Sequence, residues 1–152
     1  MDAVIDSSSL ISLAKAGSLS LLGCAPFDVV VLDAVRAETV GAGLAAGLAD
    51  AAAIATAIAD LPVQQTASGT TPVDTVVLGA AVVAGTLIAN DLALGRRARN
   101  LGARWLRTAD LVVLLAKTDR ITAPEARRAV LALADAGRIT SDLAHDYLED
   151  LG

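Results

Sequence analysis

The chain has very few aromatic residues and very few of the softer metal ligands. Phe27, Trp105 and Tyr147 are the only aromatic side chains among its 152 residues. The single cysteine, Cys24, cannot form an internal disulfide bond, and one histidine cannot complete a zinc-binding Cys and His cluster. We therefore expect any bound metal to be held by oxygen ligands. Aromatic platforms for stacking the bases of single-stranded RNA are nearly missing, which argues against base recognition.

A hydrophobic run long enough to cross a membrane is also lacking. The uncharged run at 75–90 has 16 residues, whereas a membrane helix needs about 20 mostly apolar ones. The N-terminal sequence "MDAVIDSSS" has no basic region and turns polar too early for a secretory signal. We therefore expect a soluble protein in the cytoplasm.

The chain has no excess of positive charge. Its 17 acidic residues outnumber its 12 lysines and arginines, and the net charge is −5. A general nucleic-acid binder neutralises phosphates with basic side chains, so this charge argues against that class. Any chemistry on nucleic acid would depend on local positive charge or on metal ions.

Short apolar runs alternate with helical patterns over the first 107 residues. Strands are predicted at "AVID" (3–6), "FDVVVL" (27–32), "PVQQT" (62–66), "TLIA" (86–89) and "RWLR" (104–107). The alternation predicts a three-layer α/β fold with a mainly parallel sheet of about five strands, flanked by helices. We expect one domain over 1–152, with an α/β core at about 1–108 and a helical C-terminal extension at 109–152.

Several helix boundaries are marked by capping residues or glycines. Residues 43–60 are predicted to form one amphipathic helix, and "ASGTT" at 67–71 a loop. In "TPVD", Thr71 as N-cap, Pro72 at the first helical position and Asp74 at the third predict a capping box. The helix that begins at Asp91 is expected to stop at Gly102.

Four carboxylates follow strands or lie on helices that begin where strands end. Asp6 follows the first strand, Asp91 follows "TLIA", Asp74 opens the helix before "TLIA", and Glu38 lies six residues beyond the second strand. The carboxyl ends of parallel strands share one edge of a sheet, so these acids can converge on one site. Three of them also have a simpler explanation: Asp91 as an N-cap, Asp74 in its capping box and Glu38 on a solvated helix face.

A cluster of this kind is costly without cations, because close carboxylates raise one another's pKa. Mg²⁺ removes that cost, since it prefers oxygen ligands and keeps several waters.

These segments resemble the PIN domain family, in particular VapC-type toxin ribonucleases and their uncharacterised relatives. The resemblance covers roughly residues 3–108 and is carried by "VIDSSSLISLAKAG", "VLDAVRAETV" and "PVDTVVLGAAVVAGTLIANDLALGRRARNLGARWLRT". It implies hydrolysis of RNA phosphodiesters with Mg²⁺ or Mn²⁺. The implied catalytic residues are Asp6, Glu38, Asp74 and Asp91, of which Asp6, Asp74 and Asp91 would bind metal and Glu38 would be a ligand or base. Ser8 would orient a carboxylate or a phosphate.

The same resemblance implies a homodimeric toxin paired with an antitoxin protein. A rival interpretation is a non-catalytic α/β protein of the same shape, which binds a partner through its apolar helices. A basic cluster includes Arg96 and Arg97, for which we consider both contact with the RNA phosphates and a solvated face that balances an acidic protein.

Overall fold

Five parallel strands form the centre of the structure, a computed structural model that describes residues 2–66 and 70–152. The strands are β1 (Asp2–Ile5), β2 (Asp28–Leu32), β3 (Val63–Gln64), β4 (Thr86–Ile88) and β5 (Arg104–Leu106). Their order in the sheet is β3-β2-β1-β4-β5. The middle strand β1 is fully buried at Ala3, Val4 and Ile5, as an apolar run covered on both faces of a parallel sheet must be.

Helices flank this sheet and bury its faces. They are α1 (Ser7–Lys15), α2 (Asp33–Arg36), α3 (Ala42–Ala45), α4 (Ala49–Ile58), α5 (Val73–Ala84), α6 (Leu92–Asn100), α7 (Thr108–Lys117), α8 (Ala123–Asp135) and α9 (Ser141–Asp150). A 3-10 helix covers Leu19–Cys24, and a π-helical segment, Ala37–Gly41, joins α2 to α3. Helix α1 packs against α4, α7 and α8, whereas α5 packs against α6. The predicted fold class, including the C-terminal helices, is thereby confirmed.

The prediction of a single helix at 43–60 is wrong. Helix α3 ends at Ala45, Gly47 adopts a left-handed backbone with a φ of 72°, and α4 begins only at Ala49. The break folds α4 back onto α3, where a Cβ on Gly43 would lie 2.7 Å from the Cβ of Ala51. Helical periodicity continues across this turn in the sequence, so it could not reveal the break.

The prediction of a capping box at Thr71 is also wrong. Helix α5 begins at Val73 with Pro72 as the N-cap, and no side chain caps it. Asp74 is still an acid in the first turn, but its carboxylate does not bond the start of its own helix. Of the loop expected at 67–71, residues 67–69 lie outside the described part of the chain.

Other helix boundaries are confirmed. Asp91 caps α6, and Gly102 follows its end with a φ of 91°. A further capping box, not predicted from the sequence, joins Thr122 and Glu125 at the start of α8. Within residues 2–66 and 70–152, no helix is both long enough and apolar enough to cross a membrane.

Candidate active site

Asp6 and Asp91 follow two neighbouring strands at the same edge of the sheet. Strand β1 pairs in parallel with β4, with Ile5 opposite Ile88. The pairing continues one residue further, because the Asp6 N–H donates to the Ile88 carbonyl at 2.9 Å. The structure therefore confirms the sheet geometry from which these two acids were grouped.

Asp6 is a buried carboxylate. Its residue is 5% exposed, and its Oδ2 accepts a hydrogen bond of 3.0 Å from the Ser8 hydroxyl. Burial raises the pKa of Asp6, the Ser8 hydrogen bond opposes that rise, and the negative charge of Asp74 adds to it. The hydroxyl of Ser7, next in the chain, is buried without a hydrogen-bond partner among the described residues.

Asp74 is the acid whose negative charge acts on Asp6. It is exposed in the first turn of α5, and α5 packs against β1. Among the described residues its carboxylate forms no capping bond, so helix capping does not account for this acid. Repulsion between the charges of Asp74 and the buried Asp6 raises the free energy of the folded state, and a bound cation would relieve it.

Asp91 has the structural role that its position predicts. Its Oδ1 accepts a 3.0 Å hydrogen bond from the Leu94 N–H, as an N-cap does. The residue is half-buried. A carboxylate has several acceptor positions on two oxygens, so capping through Oδ1 does not consume its capacity to bind a cation.

Glu38 lies in a different environment. It is exposed on the π-helical segment and lines a groove of about 510 Å³ beside α1. Lys15 and Asp50 line the same groove and form an ion pair of 3.1 Å.

Among the described residues, no three Asp, Glu, His or Cys side chains are grouped as ligands of a single ion. Of the other three acids, Asp74 is the one whose charge acts on Asp6, and the four-acid set remains a prediction.

The donor set nevertheless fits a hard divalent cation. Mg²⁺ is commonly held by only one or two carboxylates and several waters, and Asp6 with Asp74 can supply that number. All the acids offer oxygen, the ligand atom that Mg²⁺ and Mn²⁺ prefer.

The Ser8 hydroxyl contacts the Asp6 carboxylate, and its role in a functional site stays a prediction. Arg96 and Arg97 are exposed on α6, five and six positions beyond Asp91. At about 1.5 Å of rise per residue they lie roughly 7–9 Å along the helix from its start. Contact with RNA phosphates and a solvated face therefore both stay predictions for these arginines.

Sequence reasoning missed a polar network behind Asp6. Its members, which join α1 to the ends of β4, β5 and α8, are Ser8, Ser12, Asn90, Thr108 and Arg138. The one signal in the sequence is that the polar pair Asn90 and Asp91 directly follows a buried strand.

Two other acids at this edge have structural roles. Asp33 accepts hydrogen bonds from Ala34 and from Thr66, which tie the end of β2 to the segment after β3. Asp110 accepts 2.8 Å bonds from the Arg107 N–H and the Tyr147 hydroxyl, and so attaches α9 to the start of α7.

A parallel α/β sheet with a buried acid at its carboxyl edge defines the class of protein, and comparison with known proteins identifies the family. The model of the DUF3368 family, described as a PIN domain, matches residues 2–152. The chain belongs to this family. PIN domains are typically metal-dependent nucleases.

A solved structure shares the fold. It is a PilT N-terminus domain protein from the hyperthermophilic archaeon Sulfolobus solfataricus P2, with 20% sequence identity and a TM-score of 0.52. The match covers 76% of this chain and 93% of that one. No curated protein is similar enough in sequence to count as a match.

Proposed function

We propose that the chain is a Mg²⁺- or Mn²⁺-dependent endoribonuclease that hydrolyses RNA phosphodiester bonds. The observation that carries the proposal is the buried Asp6 carboxylate with the charge of Asp74 beside it. Among the described residues, no Lys, Arg or His forms an ion pair with either acid. A buried carboxylate without a protein counter-charge lowers the stability of a fold, and a divalent ion compensates it.

Each acid has a separate role in this proposal. Asp6 and Asp74 would hold the ion, with Asp91 contributing an oxygen that its capping bond leaves available. Glu38, on its exposed segment, would act as a base or an outer ligand. When bound, the ion lowers the pKa of a water and stabilises charge on the phosphate oxygens.

The chain's other residues support the acids. The Ser8 hydroxyl fixes one oxygen of Asp6, so that the other can face the ion. Arg96 and Arg97 would contact RNA phosphates along α6, which supplies positive charge that the chain as a whole lacks. The scarcity of aromatic residues suits contacts to the backbone rather than to the bases.

We further propose that the protein is the toxin of a toxin–antitoxin pair, homodimeric and cytoplasmic. Exposed apolar residues support contact with other chains. Val83 on α5 is 90% exposed, and Leu44 and Leu48, on either side of the turn between α3 and α4, are 53% and 60% exposed. The last two also support the alternative function, a protein-binding module that does not cleave RNA.

Cleavage of RNA by the purified chain tests the proposal. We expect cleavage with Mg²⁺ or Mn²⁺, none with a chelator, and loss of cleavage in Asp6→Asn and Asp91→Asn. Asp28→Asn is the matched control, because Asp28 is an exposed acid at the start of β2 and hence at the opposite edge. Absence of cleavage for every RNA and divalent ion, with no metal bound, would support the binding module instead.

A further inference from the structure

The side chain of Asn90 is hydrogen-bonded on both sides. Its Oδ1 accepts from the backbone N–H and from the hydroxyl of Thr108, both at 2.9 Å. Its Nδ2 donates to the Ser12 hydroxyl at 2.8 Å. Because a backbone N–H can only donate, the amide oxygen must face Thr108, and the orientation of the amide is fixed. The residue thereby joins the end of β4 to α1 and to the start of α7.

The backbone of Asn90 continues toward the acid. Its N–H donates to the Ser8 hydroxyl at 3.0 Å, and that hydroxyl donates to Oδ2 of Asp6 at 3.0 Å. A hydroxyl has one proton, so accepting from Asn90 leaves that proton for Asp6. The bonds therefore run in one direction, from the end of β4 to the carboxylate.

We propose that Asn90 is a positioning residue, which holds the Ser8 hydroxyl against Asp6 and so fixes the oxygen that faces a bound ion. The inference rests on the proposed function. Asn90 itself touches neither substrate nor ion in this proposal. It acts because its side chain is held from two helices and its backbone N–H cannot shift without breaking those bonds.

Arg138 extends the same network to the C-terminal helices. It lies between α8 and α9, and its Nε donates to the Ser12 hydroxyl at 2.9 Å. Ser12 in turn donates to the Ser8 carbonyl at 2.7 Å. With two donors and one acceptor around it, the Ser12 hydroxyl is satisfied, and the segment after α8 is tied to the second turn of α1.

The test compares the full-length chain with Asn90→Ala, Arg138→Met and Ile58→Val. Ile58→Val is the control for a general loss of stability, since Ile58 is a 2% exposed core residue at the end of α4. For each we would measure the melting temperature, the Mn²⁺ dissociation constant by calorimetry without RNA, and kcat and KM on an RNA oligonucleotide. In Asn90→Ala we expect Mn²⁺ affinity and kcat to fall by about 10–100-fold with KM little changed, as for other residues that orient metal ligands. Arg138→Met should show a smaller loss in the same direction.

The inference is overturned if Asn90→Ala binds Mn²⁺ and turns over RNA as Ile58→Val does. If Asn90→Ala does not fold, Thr108→Val takes its place, because it removes one of the two hydrogen bonds to Oδ1 of Asn90. Thr108→Val should show an intermediate loss of Mn²⁺ affinity. Wild-type affinity in Thr108→Val overturns the inference as well.

Failure of the proposed function is recognised separately. A wild-type chain that binds Mn²⁺ but cleaves no RNA refutes the nuclease, and the affinities still test Asn90. If the chain binds no Mn²⁺, amide hydrogen exchange tests the contact itself. Exchange at residue 90 should be about fivefold faster in Thr108→Val than in Ile58→Val, and equal rates overturn the inference.

Discussion

Gly95 allows α6 to approach the sheet, and replacing it with alanine should destabilise the protein. A Cβ at this position would overlap three ring atoms of Trp105 on β5, within a buried contact. Alanine stabilises the interior of a helix by about 1 kcal/mol relative to glycine. Overpacking costs about 1–3 kcal/mol, and displacing the indole endangers its 2.9 Å hydrogen bond to the Ala89 carbonyl, worth about 1 kcal/mol.

These opposing contributions leave a net destabilisation of roughly 1–3 kcal/mol for Gly95→Ala. For a chain of this length, that corresponds to a fall in melting temperature of about 2–12 °C. Circular dichroism measures it, and fluorescence of Trp105, the chain's one tryptophan, reports the displaced ring.

Gly79→Ala is the matched control. Gly79 is also inside a helix, but it is exposed on α5 and an added Cβ meets nothing within 4 Å. This variant should be more stable than wild type by up to about 1 kcal/mol. Combining Gly95→Ala with Trp105→Leu should cost less than the two single changes added together, because the overlap is gone. A Gly95→Ala protein as stable as Gly79→Ala would refute the packing argument.

Three further predictions follow from the candidate site and its surroundings. Burial raises the pKa of Asp6 above its ordinary value of 3.8. The contribution of Asp6 to the free energy of unfolding is therefore present below pH 3.8 and lost as pH rises through the raised pKa. Asp6→Asn should lack this loss and should melt at a higher temperature than wild type at neutral pH without metal. Mn²⁺ at about 100 times its dissociation constant should stabilise wild type by roughly 2.7 kcal/mol but not Asp6→Asn, as thermal melts would show. Burial, and then the bond to Asp110, raise the pKa of Tyr147, so ultraviolet titration of this single tyrosine should show phenolate forming at lower pH in Asp110→Asn than in wild type. An unchanged titration in that variant would contradict the role assigned to Asp110.

The parts of the fold that were predictable from the sequence depend on local pattern. The run around Val29 to Leu32 is apolar at every position, which identifies a strand buried on both faces. That Asp6 and Asp91 follow neighbouring strands at one edge of the sheet was predictable, because each acid comes after an apolar run and parallel strands share their carboxyl edge. Asp91 also capped α6 as expected, since that interaction spans only three residues.

Features that depend on tertiary contacts were not predictable in this way. The bond from Asn90 to Ser8 joins residues 82 positions apart, and no periodicity marks such a pair. The break at Gly47 is stabilised by packing of Gly43 against Ala51, which the helical stripe does not reveal. The capping box predicted at Asp74 is likewise missing because α5 begins at Val73, one residue later than the sequence pattern places it.

Calorimetric titration with Mn²⁺ in the absence of RNA tests the central claim most directly. We predict saturable binding by the wild-type chain, loss of binding in Asp6→Asn, and wild-type binding in Asp28→Asn, whose acid lies at the opposite edge of the sheet. No binding by wild type, or equal binding by wild type and Asp6→Asn, would contradict the assignment of this edge as a metal-dependent nuclease site.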